Sequence, residues 1–79
     1  TRKELLLKNY NFISGKKPTT SMNVKAKIRY GQEPKEAIIH PAKNNILKVK
    51  FKEPQFAVTP GQICVFYKEE KCLGGGIIE

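Results

Sequence analysis

Apolar and polar residues alternate with a period of two along much of the chain. Met22, Val24, Ala26, Ile28 and Tyr30 fall on one side of an extended segment, and Asn23, Lys25, Lys27 and Arg29 fall on the other. That is the pattern of a strand with one face in a core and one in water. The same logic returns where Leu47, Val49 and Phe51 alternate with Lys48, Lys50 and Lys52. Between these two, residues 36–40 read as a further strand, stopped by Pro41 and followed by Lys43-Asn44-Asn45, which suit a hairpin turn. Ser14-Gly15-Lys16-Lys17-Pro18-Thr19-Thr20-Ser21 reads as a loop after a short first element. Glu53-Pro54-Gln55 is expected to interrupt pairing, because proline has no N–H to give to a ladder, and Thr59-Pro60-Gly61 marks a tight turn. Residues 63–67 are an apolar, β-rich run, and a charged hairpin loop at 68–71 leads into a last strand at 72–78. No window sustains helical spacing. Short strands with turn signals about every 8–12 residues predict an all-β fold, a small antiparallel β-barrel whose closure removes aggregation-prone edges.

Length and charge narrow what such a barrel can do. With 79 residues the chain makes one domain, and a core of that size leaves no room for a large enclosed active-site cavity. The longest apolar runs, Leu5 to Leu7 and Ile63 to Tyr67, fall far short of the roughly 20 residues of a membrane span, so no membrane partner is expected. The sequence opens at Thr1 without a methionine or a secretory leader, and is expected to be a piece of a longer protein. Two cysteines are too few for a disulfide framework, and a lysine-rich surface fits a reducing, cytoplasmic setting. The net charge is +8, and it is uneven: 13 basic and 3 acidic residues precede Glu53, while 2 basic and 4 acidic follow from it.

Most candidate chemistry dissolves on inspection. Gly74-Gly75-Gly76 lacks the lysine, hydroxyl residue and helix of a phosphate loop, so these glycines mark a bulge, a barrel corner or a close backbone approach. Cys64 and Cys72 lack zinc-ligand spacing and companions. If Tyr67 pairs with Cys72, Cys64 lies opposite Gly75 and the two thiols take opposite faces, which leaves Cys64 to pack in the core. His40 has no nucleophile at a recognisable spacing, and the glutamates sit in turns or beside lysines as solvated charge. No catalytic constellation is present. What remains is cationic: Lys25, Lys27 and Arg29 on one strand and Lys48, Lys50 and Lys52 on another, expected to project together from adjoining strands. Either row alone serves solubility; together they form a wall that gains when phosphates displace its counterions. Tyr10, Phe12 and Tyr30 either stack on bases or belong to the core.

The residues also carry a likeness. Lys27-Ile28-Arg29-Tyr30, Phe51-Lys52-Glu53-Pro54-Gln55, Ala57-Val58-Thr59-Pro60-Gly61-Gln62, Val65-Phe66-Tyr67 and Cys72-Leu73-Gly74-Gly75-Gly76-Ile77-Ile78 resemble, in order and spacing, the C-terminal domain of the tRNA-specific 2-thiouridylases. Asn9-Tyr10-Asn11-Phe12-Ile13-Ser14-Gly15 is similar to the segment that leads into that domain, so residues 1–20 are expected as a lead-in from a preceding domain and 21–79 as the barrel. The resemblance implies a barrel like the second domain of translation elongation factors. It implies a parent enzyme that uses ATP and Mg to activate the wobble uridine of tRNA, and then replaces its 2-oxygen with sulfur from a persulfide donor protein. The ATP loop and the catalytic cysteines of that family belong to its N-terminal and central domains and have no counterpart here, so the chain alone is expected to carry no cofactor and no activity. Matched position by position, Arg29, Tyr30 and Gln62 are implied as tRNA contacts, joined by Lys25, Lys27, Lys48 and Lys50 from the charge pattern. Gly31 stands where relatives often carry arginine, a loss for which Lys35 can partly substitute. Two other readings stay open: a free-standing oligonucleotide-binding barrel, and a purely structural docking domain.

Overall fold

The computed structural model describes residues 2–79. Six strands, β1 (Arg2–Phe12), β2 (Met22–Lys27), β3 (Lys35–Pro41), β4 (Leu47–Gln55), β5 (Ile63–Lys68) and β6 (Lys71–Ile78), form a closed barrel in the order β1-β4-β3-β2-β5-β6, every pair antiparallel. Alternation places Val24 and Ala26, Ala37 and Ile39, and Leu47, Val49 and Phe51 inside, where they meet Leu5, Leu7, Phe66 and Ile78. Phe51 and Phe66 are the largest fully buried side chains, each contributing about 1.5–3 kcal/mol through apolar area removed from water.

The first strand departs from expectation. Residues 2–12, read as a lead-in, are a full barrel strand, pairing with β4 through Leu7↔Leu47 and with β6 through Leu7↔Ile78. Asn9 carries the reason the periodicity was hard to follow there. Its φ of 49° and the shifted register between Lys8 and Asn11 form a bulge, so the inward series runs Leu5, Leu7, Tyr10 and breaks strict alternation. Asparagine tolerates this left-handed backbone.

A second bulge corrects the register expected for the cysteines. Tyr67 faces Cys72, but Phe66 faces Gly74, so Cys64 lies opposite Gly76 rather than Gly75. Both cysteines are free thiols, and burial pushes the Cys64 thiol up to about 12. The glycine run is there for space. A Cβ on Gly74 would stand 2.1 Å from the Asn11 carbonyl oxygen, and one on Gly76 would stand 2.8 Å from Tyr10 Cβ. The Glu53-Pro54-Gln55 segment is also more regular than expected. β4 runs through it to Gln55, which pairs with Arg2 after a register shift, while pairing to β3 stops at Phe51. The hairpin at Lys43–Asn45 is one turn of 3-10 helix with left-handed Asn44 and Asn45.

Candidate nucleic-acid interface

Two turns of the same construction meet at one end of the barrel. In each the fourth residue is a glutamine whose N–H reaches the first residue's carbonyl: Gln32 to Arg29 at 3.2 Å and Gln62 to Thr59 at 3.4 Å. In each the third residue is a glycine in the left-handed region, Gly31 at φ 82° and Gly61 at 94°, as a turn that needs positive φ at that place requires. In each the glutamine side chain turns back to accept from a backbone N–H, Ile28 onto Gln32 Oε1 at 2.8 Å and Thr59 onto Gln62 Oε1 at 2.9 Å. The second turn is tied to β6, with Gly61 N–H bonded to the Ile78 carbonyl and Ile78 N–H to the Gln62 carbonyl, both 2.8 Å.

This geometry settles Tyr30. Alternation would send it inward, but β2 ends at Lys27 and Tyr30 becomes the second residue of the turn, fully exposed. Arg29 beside it donates from Nη2 to the Phe56 carbonyl and so ties the turn to the segment after β4. A directed chain of amides holds the turn from within: Ile28 N–H to Gln32, Gln32 Nε2 to Gln55 Oε1 at 3.1 Å, and Gln55 Nε2 to the Glu53 carbonyl at 3.0 Å. Gln55 is the one buried polar residue among those described, and this chain satisfies it.

A groove of about 420 Å³ results, lined by Lys27, Arg29, Tyr30 and Gln62 over Ile28, Ile63 and Val65. Three of the residues expected to contact RNA, Arg29, Tyr30 and Gln62, therefore come together from two separate turns, with Lys27 alongside. Lys27 Nζ lies 5.5 Å from the centre of the Tyr67 ring.

The lysine rows do not adjoin as expected. β3 stands between β2 and β4, so Lys25 and Lys27 are separated from Lys48, Lys50 and Lys52 by at least two strand spacings, roughly 10 Å across the sheet. Glu36 faces Lys25 across the ladder, and Lys48 Nζ lies 3.9 Å from Glu4. Lys50 and Lys52, with Lys3, edge a trough of about 530 Å³ floored by Ile38 and closed by Glu36. Lys35 lies in a mixed-charge cluster with Glu33, Glu36, Lys52 and Glu53, away from the Arg29 groove, so it does not replace a cation at Gly31. Tyr10 and Phe12 belong to the core, their rings 6.3 Å apart and Phe12 5.2 Å from Phe66. Sequence reasoning missed Phe56, 70% exposed beside Arg29. Parity could have found it: with Phe51 and Gln55 inward, residue 56 points out.

Among the described residues no group of three or more His, Cys, Asp or Glu side chains could hold a metal, and the groove offers cations, amide and phenol rather than a nucleophile with its base. The family profile of the aminomethyltransferase beta-barrel domain matches residues 2–78, from β1 to the end of β6. The chain belongs to the aminomethyltransferase beta-barrel domain family. This aminomethyltransferase beta-barrel domain is 51% identical over 76 residues to the tRNA-specific 2-thiouridylase MnmA 2 of a Thermoanaerobacter species, covering 96% of this chain and 21% of that protein. It is 47% identical over 78 residues to the tRNA-specific 2-thiouridylase MnmA 2 of Clostridium botulinum (99% and 22%) and 49% identical over 76 residues to the tRNA-specific 2-thiouridylase MnmA of Clostridium perfringens (96% and 21%). The chain spans about one-fifth of the length of these relatives and matches their C-terminal part. No helix among the described residues is long and apolar enough to cross a membrane.

Proposed function

We propose that this barrel is the tRNA-holding module of a longer, cytoplasmic tRNA-specific 2-thiouridylase. The observation that carries the reading is the convergence of Arg29, Tyr30 and Gln62 on one groove, in a chain about half identical to proteins of that name. Backbone contacts from Lys25, Lys27, Lys48 and Lys50 fix register on the tRNA, and the preceding N-terminal and central domains, using ATP, Mg and a persulfide donor protein, carry out the 2-thiolation of the wobble uridine. The free-standing oligonucleotide barrel loses support because Tyr10, which would have to face the solvent, is buried in the core and Phe12 packs half-buried against it.

The docking alternative draws support from Ile13 and Ile63, both more than half exposed. Titration of labelled tRNA into the chain at two salt concentrations separates the two. Binding that weakens steeply with salt, as three to six phosphate contacts require, supports the tRNA reading. No binding even at low salt refutes it in favour of docking.

A further inference from the structure

The trough on the outer wall of β1, β4, β3 and β2 shares no lining residue with the groove between the two turns. Its opening comes from β4. One residue of β1 separates Arg2 from Glu4 where four of β4 separate their partners Gln55 and Lys50, and pairing with β3 ends at Phe51, so past Phe51 β4 bows away from both neighbours. Lys50 and Lys52 are successive outward residues, about 7 Å apart along the strand, and Lys3 joins them from β1. All three are exposed, and none has an ion-pair partner among the described residues, where the salt bridge belongs to Lys48. Beside these cations the outward side chain is apolar: Ile38, cross-strand from Lys50 and 37% exposed. Asn23, which pairs with Ile38 from β2, and Glu36 add hydrogen-bond acceptors.

A phosphodiester backbone would satisfy the lysines, but its phosphates have no N–H for the acceptors and no apolar group for Ile38. The aromatic residue lining the trough, Phe51, is too deeply buried to stack on a base. A peptide brings all that is needed: carboxylates for the ammonium groups, main-chain N–H for Asn23 and Glu36, and an apolar side chain for Ile38. One part-exposed isoleucine among charges is not the broad apolar face of an obligate interface, and suits a charge-steered partner that associates and leaves. We infer that this trough docks an acidic segment of a separate protein, with an aliphatic side chain seated on Ile38 and flanking carboxylates on Lys3, Lys50 and Lys52. Lys50 alone is shared with the tRNA contacts proposed above, and the docking does not depend on them.

Two labelled peptides test it by fluorescence anisotropy with the full chain at low salt: glutamates around one leucine, and the same peptide with serine for the leucine. The leucine peptide should bind about fivefold tighter, the difference made by partly burying one aliphatic side chain. Ile38→Thr keeps a β-branched residue on the strand and should abolish that difference. Lys50→Gln with Lys52→Gln should weaken both peptides by about fivefold, as two exposed ion pairs give, and Arg29→Ala, outside the trough, should change neither. In NMR spectra the leucine peptide should move the amides of Asn23, Ile38 and Lys50, and thermal melts check that each variant keeps the barrel. Failure of both peptides to bind, equal affinity for the two, or a difference that Ile38→Thr leaves intact overturns the inference. So does tRNA moving these amides when neither peptide does, which would give the trough to RNA. Loss of peptide binding in a longer chain carrying the preceding domains also overturns it, by giving the trough to those domains.

Discussion

Replacing Gln32 by alanine should loosen the turn that presents Arg29 and Tyr30, and the amide chain allows the cost to be worked out. Gln32 receives the Ile28 N–H at 2.8 Å and gives its own NH₂ to Gln55 at 3.1 Å. Its truncation strands a donor on the buried Ile28 and one acceptor of the buried Gln55. A buried group left unpaired costs about 1–3 kcal/mol, and a lost net hydrogen bond about 0.5–1.5 kcal/mol. Gln32 is only half-buried, so water can reach part of the space, and a total near 2 kcal/mol is expected. For a domain of this size each kcal/mol moves the melting temperature by about 4–8 °C, so Gln32→Ala should melt roughly 8–16 °C lower, read by circular dichroism. Gln55→Ala breaks the same chain from the other side. The double variant should therefore lose less than the sum of the singles, with a coupling of about 1 kcal/mol. A melt within two or three degrees of the parent, or strict additivity of the two substitutions, would show that the chain does not hold the turn.

Four further outcomes follow from the same structure. Arg29→Ala should weaken tRNA binding by about 1–3 kcal/mol while moving the melt only slightly, since the lost bond to the Phe56 carbonyl is exposed; a large drop in melting temperature with unchanged affinity contradicts this. Gly74→Ala should cost several times what a tolerated surface change does, because its Cβ would lie 2.1 Å from a backbone oxygen that cannot step aside, and chemical denaturation measures it. Cys64 should resist alkylation at pH 8 in the folded chain while the half-buried Cys72 reacts, as intact-mass measurement will show. Its thiol pKa is raised from 9.0 to about 12, so the folded state holds a proton that the unfolded state releases; stability should be unaffected below pH 9 and fall as pH rises from 9 towards 12.

β2 and the first two-thirds of β4 were legible because each has one face in water and one in the core, so polar and apolar residues alternate from Met22 to Lys27 and from Leu47 to Lys52. β1 was not, since the bulge at Asn9 shifts its inward parity midway and its exposed positions include Leu6. In β6 the glycines that make room for Tyr10 and Asn11 erase the side-chain pattern from which register would be read. The site shows the same division. Arg29 and Gln62 were identifiable by likeness to a family, but their meeting in space depends on strands β2 and β5 being neighbours, which periodicity does not encode. Tyr30 falls on the inward side of the alternation and is freed by a turn whose signal, Gly31, sits one residue later. The supposed single wall of lysines failed because strand order is a property of the closed sheet: Lys25 and Lys50 are both outward, yet β3 intervenes.

The joining of β6 to β1 has a bearing on every encounter the molecule makes. Each of the six strands has a hydrogen-bonded neighbour on both sides, so among the described residues no strand offers its whole length as a free edge for a visiting peptide to zip onto. Recruitment by strand donation is closed to it, and so is the commonest route by which β proteins stick to copies of themselves. Discrimination between partners accordingly falls to the turns and to side-chain tips, where a single substitution can redirect it without disturbing the cylinder beneath.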